Sequence, residues 1–138
     1  MIRRLRGTLS LVALTALAGA ACETTTSPPI TDPPPRTEFT VTGSLGINGA
    51  NTHQFTTTIP GEISVRLQAL SPVETATIGM GLGFWTGTSC NVLIADDEAI
   101  ENELLIGTGT AAGVFCVRVY DVGKLAAPTD YTLALMHF

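Results

Sequence analysis

Apolar and polar residues alternate with a period of two along most of the chain beyond residue 36. Such alternation is typical of β-strands with one buried face and one face turned to solvent. The clearest example is residues 62–69, and residues 113–121 place Phe115, Val117 and Val119 together on one side. The pattern predicts eight strands, at residues 39–47, 53–59, 62–69, 77–85, 90–95, 104–108, 113–121 and 131–137.

These eight strands predict the fold class of residues 37–138. No segment there has the 3.6-residue period of an amphipathic helix, so we expect an all-β protein without helices. Eight short alternating strands predict an antiparallel β-sandwich of jelly-roll type. In the first strand the side chains expected to face the core are Phe39, Val41, Gly43, Leu45 and Ile47, and in the fourth they are Ile78, Met80, Leu82 and Phe84.

Residues 1–21 have the layout of a secretory signal peptide, with a basic start, an apolar run and small residues at the end. The apolar run is too short to span a bilayer as a mature helix. Residues 17–22 resemble the signal of bacterial lipoproteins, in which the cysteine becomes lipidated and is then the new N-terminus. The resemblance implies lipidation of Cys22 and anchoring to a membrane of the cell envelope. Cleavage before Ala21 is the alternative, and it would leave Cys22 as a spare thiol on a secreted chain.

Residues 22–36 are rich in Pro and Thr and contain almost no apolar side chains. Such a composition forms no core and favours an extended polyproline-like conformation, at about 3 Å per residue. We expect this segment to be a tether for the folded domain.

The charge of the mature chain restricts its partners. Beyond residue 21 there are four Lys and Arg against twelve Asp and Glu, a net charge of −8. A negative surface opposes binding to phosphate backbones and to anionic lipids. We therefore expect no nucleic-acid partner.

Cys90 and Cys116 lie on or beside two predicted strands of an exported chain, so we expect them to form a disulfide. In the chain-entropy model, closing such a loop stabilises the fold by about 3 to 4 kcal/mol. Three cysteines are an odd number, and lipidation of Cys22 would leave this even pair.

Three segments carry a resemblance to a known family: residues 61–67, 112–119 and 130–135. They are similar to the Gly-led strand, the central strand and the closing strand of the bacterial pre-peptidase C-terminal domain. The resemblance spans roughly residues 38–138. It implies a small non-catalytic sandwich of the kind appended to secreted enzymes.

Candidate chemistry is sparse. Asp96, Asp97 and Glu98 form an acidic run that could bind calcium, but they lack EF-hand spacing, and a solvated loop is the simpler interpretation. His53 and His137 each lie alone in strand sequence, without a ligand or catalytic partner at a recognisable spacing. We expect no catalytic residues, no metal and no cofactor.

Gly79, Gly81 and Gly83 alternate along one side of the fourth strand, beside Trp85. Missing side chains expose backbone, and an aromatic ring next to bare backbone would suit a sugar ring, so this is a candidate ligand surface. In the alternative interpretation, neighbouring strands or a loop cover this face.

Taken together, the sequence predicts a non-catalytic, exported binding or structural module. It would present a β-sandwich to an envelope protein or a polysaccharide. A self-associating envelope subunit and a hydrolytic enzyme are the alternatives.

Overall fold

The computed structural model describes residues 31–138. The signal peptide, Cys22 and most of the tether lie outside the described residues, so those predictions stay predictions. Residues Pro33–Phe138 form a compact unit. In this part of the chain there is no helix that could cross a membrane.

Eight strands make up the fold, and no helix occurs among the described residues. In chain order they are β1 (Thr37–Leu45), β2 (Ala50–Thr57), β3 (Gly61–Ser71), β4 (Ile78–Trp85), β5 (Cys90–Ala99), β6 (Leu104–Gly109), β7 (Gly113–Tyr120) and β8 (Thr129–His137).

The strands form two four-stranded sheets with the orders β1-β8-β3-β6 and β2-β7-β4-β5. Every pairing is antiparallel. Consecutive strands alternate between the sheets in most places, as in a double-sheet jelly roll. The predicted fold class is therefore confirmed.

The core lies between the two inner faces, where side chains from both sheets interdigitate. The first sheet contributes Val65, Leu67, Leu133 and Leu135, and the second contributes Met80, Leu82, Val117 and Val119. All eight are at least 96% buried. The apolar side of β7, which the alternation predicts, therefore faces the interior. Phe115, at the start of the strand, is only partly buried.

The two ends of the sandwich differ in what they hold. Thr37 and Ile63 both pair with His137, so the chain enters the sandwich and finishes at the same end, here called the entry end. The connections 58–60, 86–89 and 110–112 lie at the entry end as well, because the strand ends that they join are paired at that end of the sheets. Tyr120 pairs with Ala50 at the far end.

Apart from shifts of one to three residues in the strand bounds, three details differ from the sequence predictions. Ile47 follows β1 in a turn and is 50% exposed, so it does not join the inner face. Phe84 is 41% exposed because it lies at the entry end of β4, where the core opens to solvent. The fifth strand continues to Ala99, so the acidic run Asp96, Asp97 and Glu98 belongs to a strand and not to a loop.

Candidate functional site

A disulfide joins Cys90 to Cys116 on the outer face of the second sheet, as predicted. The two Cα atoms are 5.8 Å apart. Cys116 pairs with Gly83 and Cys90 pairs with Trp85, so the bond passes over β4, which lies between β5 and β7. The bridge staples the outer face and leaves the core to pack separately.

Gly83 is what allows the bridge to form across β4. A Cβ atom at this position would overlap the backbone of Asn91 and Val92, because the first residues of β5 fold over the outer face of β4. This close approach brings Cys90 within reach of Cys116. Only glycine leaves the space for it.

The other two glycines of the stripe are also covered. The side chain of Val92 lies over Gly81, 2.7 Å from where a Cβ would stand, and the ring of Tyr120 lies over Gly79. The exposed backbone that the sequence suggested is therefore not present at Gly79, Gly81 or Gly83, because neighbouring strands fill the stripe. Trp85 is half-buried at the end of β4, next to Cys90. Sugar binding at this stripe stays an untested prediction.

Tyr120 is the aromatic residue whose importance sequence reasoning missed. Its hydroxyl donates a hydrogen bond to the Asp97 carboxylate, which connects β7 to the edge strand β5. Burial, together with the hydrogen bond and the negative charge of Asp97, raises the pKa of Tyr120 to about 12. The pairing of Tyr120 with Gly79 would have indicated this role. It depends on the order of the strands in the sheet, however, which local alternation does not reveal.

An open depression of about 430 Å³ lies beside this ring at the far end of the sandwich. Its lining consists of Asn48, Gly49, Ala50, Val92, Arg118, Tyr120 and Asp121. The guanidinium of Arg118 is exposed and close enough to oppose the rise in the pKa of Tyr120. The depression therefore combines an aromatic ring, a cation, one carboxylate and small apolar groups.

Asp121 fixes the rim of the depression. Its Oδ2 accepts a hydrogen bond from the backbone N–H of Asn48 at 2.8 Å, and its Oδ1 accepts from those of Gly123, Lys124 and Leu125 at 2.8, 3.0 and 3.2 Å. The N–H of Asn48 is the largest of the causes that lower the pKa of Asp121. Two connecting loops are thereby held together at one carboxylate.

The acidic run is engaged in separate contacts. Asp96 accepts a hydrogen bond from the backbone N–H of Glu98, Asp97 accepts from Tyr120, and Glu98 forms a 3.0 Å ion pair with Lys124. Among residues 31–138, no three His, Cys, Asp or Glu side chains are grouped so as to hold a metal ion.

Each histidine packs against aromatic neighbours. The Nε2 of His53 lies 2.6 Å from the hydroxyl of Tyr131. The ring of His137 stacks on Phe55 with centroids 5.5 Å apart, and its Nδ1 donates to the carbonyl of Phe138 at 2.8 Å. Both imidazole rings are therefore held in place by contacts within the fold.

A second candidate surface lies at the entry end, between the edge strands β5 and β6. Two hollows of about 80 and 270 Å³ share Leu93 and Phe115 in their lining. We call this surface the apolar groove and define it by Leu82, Phe84, Leu93, Ile94, Val114 and Phe115. Leu93 is 63% exposed because it is the extra residue of a β-bulge, unpaired where the register shifts between Leu82 and Gly83.

No family model and no curated protein sequence matches the chain. Among solved structures, the fold is similar to PliG of Aeromonas hydrophila, a periplasmic inhibitor of g-type lysozyme. That match has a TM-score of 0.52 and 13% identity, and covers 72% of this chain and 86% of PliG. The mitogen YPM of Yersinia pseudotuberculosis matches with a TM-score of 0.55 and 15% identity, over 72% of this chain and 84% of YPM. At these identities the likeness shows a shared fold alone.

Proposed function

We propose that this chain is an exported, non-catalytic binding module whose apolar groove takes an apolar segment of a basic protein. The observation that carries the proposal is the exposure of large apolar side chains at one end of the molecule. Leu93, Phe84 and Val114 are 63%, 41% and 40% exposed around a hollow that reaches Leu82 and Ile94. A contiguous apolar surface of this kind marks interaction sites in soluble proteins.

Charge complementarity selects the kind of protein. Residues 31–138 contain four Lys and Arg against eleven Asp and Glu, a net charge of −7. A positively charged partner would be steered toward this molecule, whereas a second copy would be repelled. No charged residue lines the groove. The contact between apolar side chains would therefore form the centre of the interface, from which water is excluded.

The fold supports a protein partner. PliG, which has the same fold, is named as an inhibitor of an enzyme, and so as a protein that acts on another protein. On this analogy, g-type lysozyme is the first defined probe for the present chain. Membership of the pre-peptidase C-terminal family remains a hypothesis and implies a non-catalytic module as well.

Export is supported by the Cys90–Cys116 disulfide, since disulfides persist in oxidising compartments. We further propose that Cys22 is lipidated and that residues 22–36 tether the sandwich to a membrane of the cell envelope. Mass spectrometry of the mature N-terminus tests this directly. A diacylated or triacylated Cys22 is expected, and an unmodified N-terminal Ala21 would contradict it.

Site-specific photo-crosslinking tests the groove in the full exported chain. A benzophenone amino acid in place of Leu93 is expected to give one defined adduct, whose partner is basic and binds again when purified. Val73 is the matched control, because it is 51% exposed but lies outside the groove. Binding should weaken with Leu93→Asp and with increasing salt. Equal adducts at positions 93 and 73 would overturn the proposal.

Self-association is the second candidate function. It is favoured by the edge strand β6, whose outward side chains Leu104 and Ile106 are 39% and 51% exposed. Light scattering on the mature chain between 1 and 100 µM distinguishes the two functions. A concentration-dependent dimer that Ile106→Asp abolishes would favour self-association, and a monomer throughout would exclude it.

A further inference from the structure

The ring of Tyr120 is held in one position on the outer face of the second sheet. One side of the ring lies against the backbone of Gly79, where any larger residue would collide with it. The hydroxyl is held by the Asp97 carboxylate on β5. The residue is only half-buried and lines the open depression, so part of the ring is available to a ligand.

Polar groups of both kinds surround this ring. Arg118, two residues before Tyr120 on the same outer face of β7, offers guanidinium donors. The ion pairs among the described residues are Arg36 with Glu62 and Lys124 with Glu98. Arg118 takes part in neither of these ion pairs. Asp97 adds carboxylate acceptors. A fixed aromatic ring with donors and acceptors beside it can recognise a ring that has an apolar face and polar edges.

We propose that this depression binds a pyranose ring of an uncharged glycan. The C–H face of the sugar would stack on Tyr120, and its hydroxyl groups would bond to Arg118 and Asp97. Ala50 and Val92 line the same depression and would contact an acetamide methyl group, so N-acetylated hexosamines are included. The volume of about 430 Å³ is enough for a sugar ring.

The electrostatics exclude an acidic glycan. Asp121 lines the depression and Asp97 holds the hydroxyl of Tyr120, within a chain region of net charge −7. One guanidinium does not offset this field for a polyanion. The occupant is therefore a neutral sugar.

This inference is independent of the proposed protein partner. Tyr120 lies at the far end of the sandwich, whereas Phe84 and Phe115 of the apolar groove pair at the entry end. Leu93→Asp is therefore expected to leave glycan binding unchanged. The two functions can fail separately, since each has its own variants and its own probe.

Calorimetry and amide NMR on the mature chain test the site, with chitohexaose and cellohexaose as neutral probes and polygalacturonate as the anionic control. With a neutral probe, shift changes are expected at the amides of residues 48–50, 92 and 118–121. Tyr120→Ala should weaken binding by about three- to tenfold, the range for loss of an aromatic contact. Arg118→Ala should weaken it by about tenfold through loss of a charged donor.

Two further variants separate stacking from folding. Tyr120→Phe keeps the ring and loses only the bond to Asp97, so it should bind nearly as well as the natural chain. Trp85→Ala removes the other aromatic residue of this outer face and should leave binding unchanged. The proposal is wrong if neither neutral oligosaccharide binds, if polygalacturonate binds more tightly, or if Arg118→Ala binds like the natural chain. Because Arg118 is exposed, its variant decides the question even if Tyr120→Ala fails to fold.

Discussion

His53 on β2 and Tyr131 on β8 connect the two sheets of the sandwich through a side-chain hydrogen bond of 2.6 Å. Their rings meet edge to face, with centroids 5.8 Å apart. Tyr131 is 2% exposed, and burial raises its pKa, so its hydroxyl keeps its proton. A neutral imidazole can accept that proton in a hydrogen bond, whereas an imidazolium cannot.

The burial of His53 at this contact predicts how the free energy of unfolding depends on pH. Burial lowers the pKa of His53 below its ordinary value of 6.5, so the folded chain binds its proton less readily than the unfolded chain. The contribution of His53 to the free energy of unfolding is therefore fully present above about pH 6.5. It falls as the pH drops from there through the lower pKa of the folded state. Urea unfolding at pH values from 7.5 to 5 should show this decrease.

Two variants check the assignment to His53. His53→Gln keeps an amide that can reach Tyr131 but does not titrate, so the pH dependence in this window should become flatter. Tyr131→Phe removes the hydroxyl and leaves burial, the cause of the shift, so His53 should still titrate below 6.5 in an NMR titration. A His53 that titrates at or above 6.5 in the natural chain would refute the explanation.

The disulfide should make a large contribution to stability. Cys90 and Cys116 are separated by 26 residues, and closing a loop of that length stabilises by about 3 to 4 kcal/mol in the chain-entropy model. Cys90→Ala combined with Cys116→Ala should lose about that amount in urea unfolding. Mass spectrometry of the non-reduced natural chain should find neither thiol open to alkylation. Two alkylatable thiols would rule out the bridge.

How far the sequence predicted this fold is clear from β7. Alternation alone places Phe115, Val117 and Val119 on one side of the strand, because a period of two determines which side chains share a face. Alternation does not determine which strands pair, so the order β2-β7-β4-β5 could not be read from it. For the same reason the pairing of Tyr120 with Gly79 was not foreseen.

The candidate site was harder to predict because it depends on irregular features. The bulge that exposes Leu93 is a shift between β4 and β5, and nothing in residues 90–95 distinguishes it from regular alternation. Phe84 continues the inward series of β4, yet its exposure depends on where the opposite sheet ends. The glycine stripe does mark a structural feature. The glycines make room for the close approach of β5 and Tyr120, and they do not form an open ligand surface.

That close approach predicts a sharp difference between two glycine substitutions. Gly83→Ala would place a methyl group into the backbone of Asn91, so the start of β5 must shift, which should destabilise the fold by about 1 to 3 kcal/mol. Gly46→Ala is the matched control, because no atom lies within 4 Å of a Cβ there. Its effect should stay within about 0.5 kcal/mol. Equal urea midpoints for the two variants would contradict the crossing of β5 over β4.

Asp121 predicts a difference between two variants that each remove its charge. Asp121→Asn keeps an oxygen that can accept from Gly123, Lys124 and Leu125, but an amide NH₂ in place of Oδ2 cannot accept from Asn48. Hydrogen exchange should therefore accelerate mainly at the amide of Asn48. Asp121→Ala removes every acceptor, so exchange should accelerate at all four amides.

The charge of Asp121 adds a pH dependence in the acid range. Hydrogen bonds from backbone N–H groups lower the pKa of its carboxyl below the ordinary value of 3.8. The protection of the Asn48 amide should therefore be complete above about pH 3.8 and be lost as the pH falls through the lower pKa of the folded state. Asp121→Asn should show no such change, because its side chain does not titrate. If the natural chain and Asp121→Asn lose protection together, another group holds the loop, and Asp121 does not fix the rim of the depression.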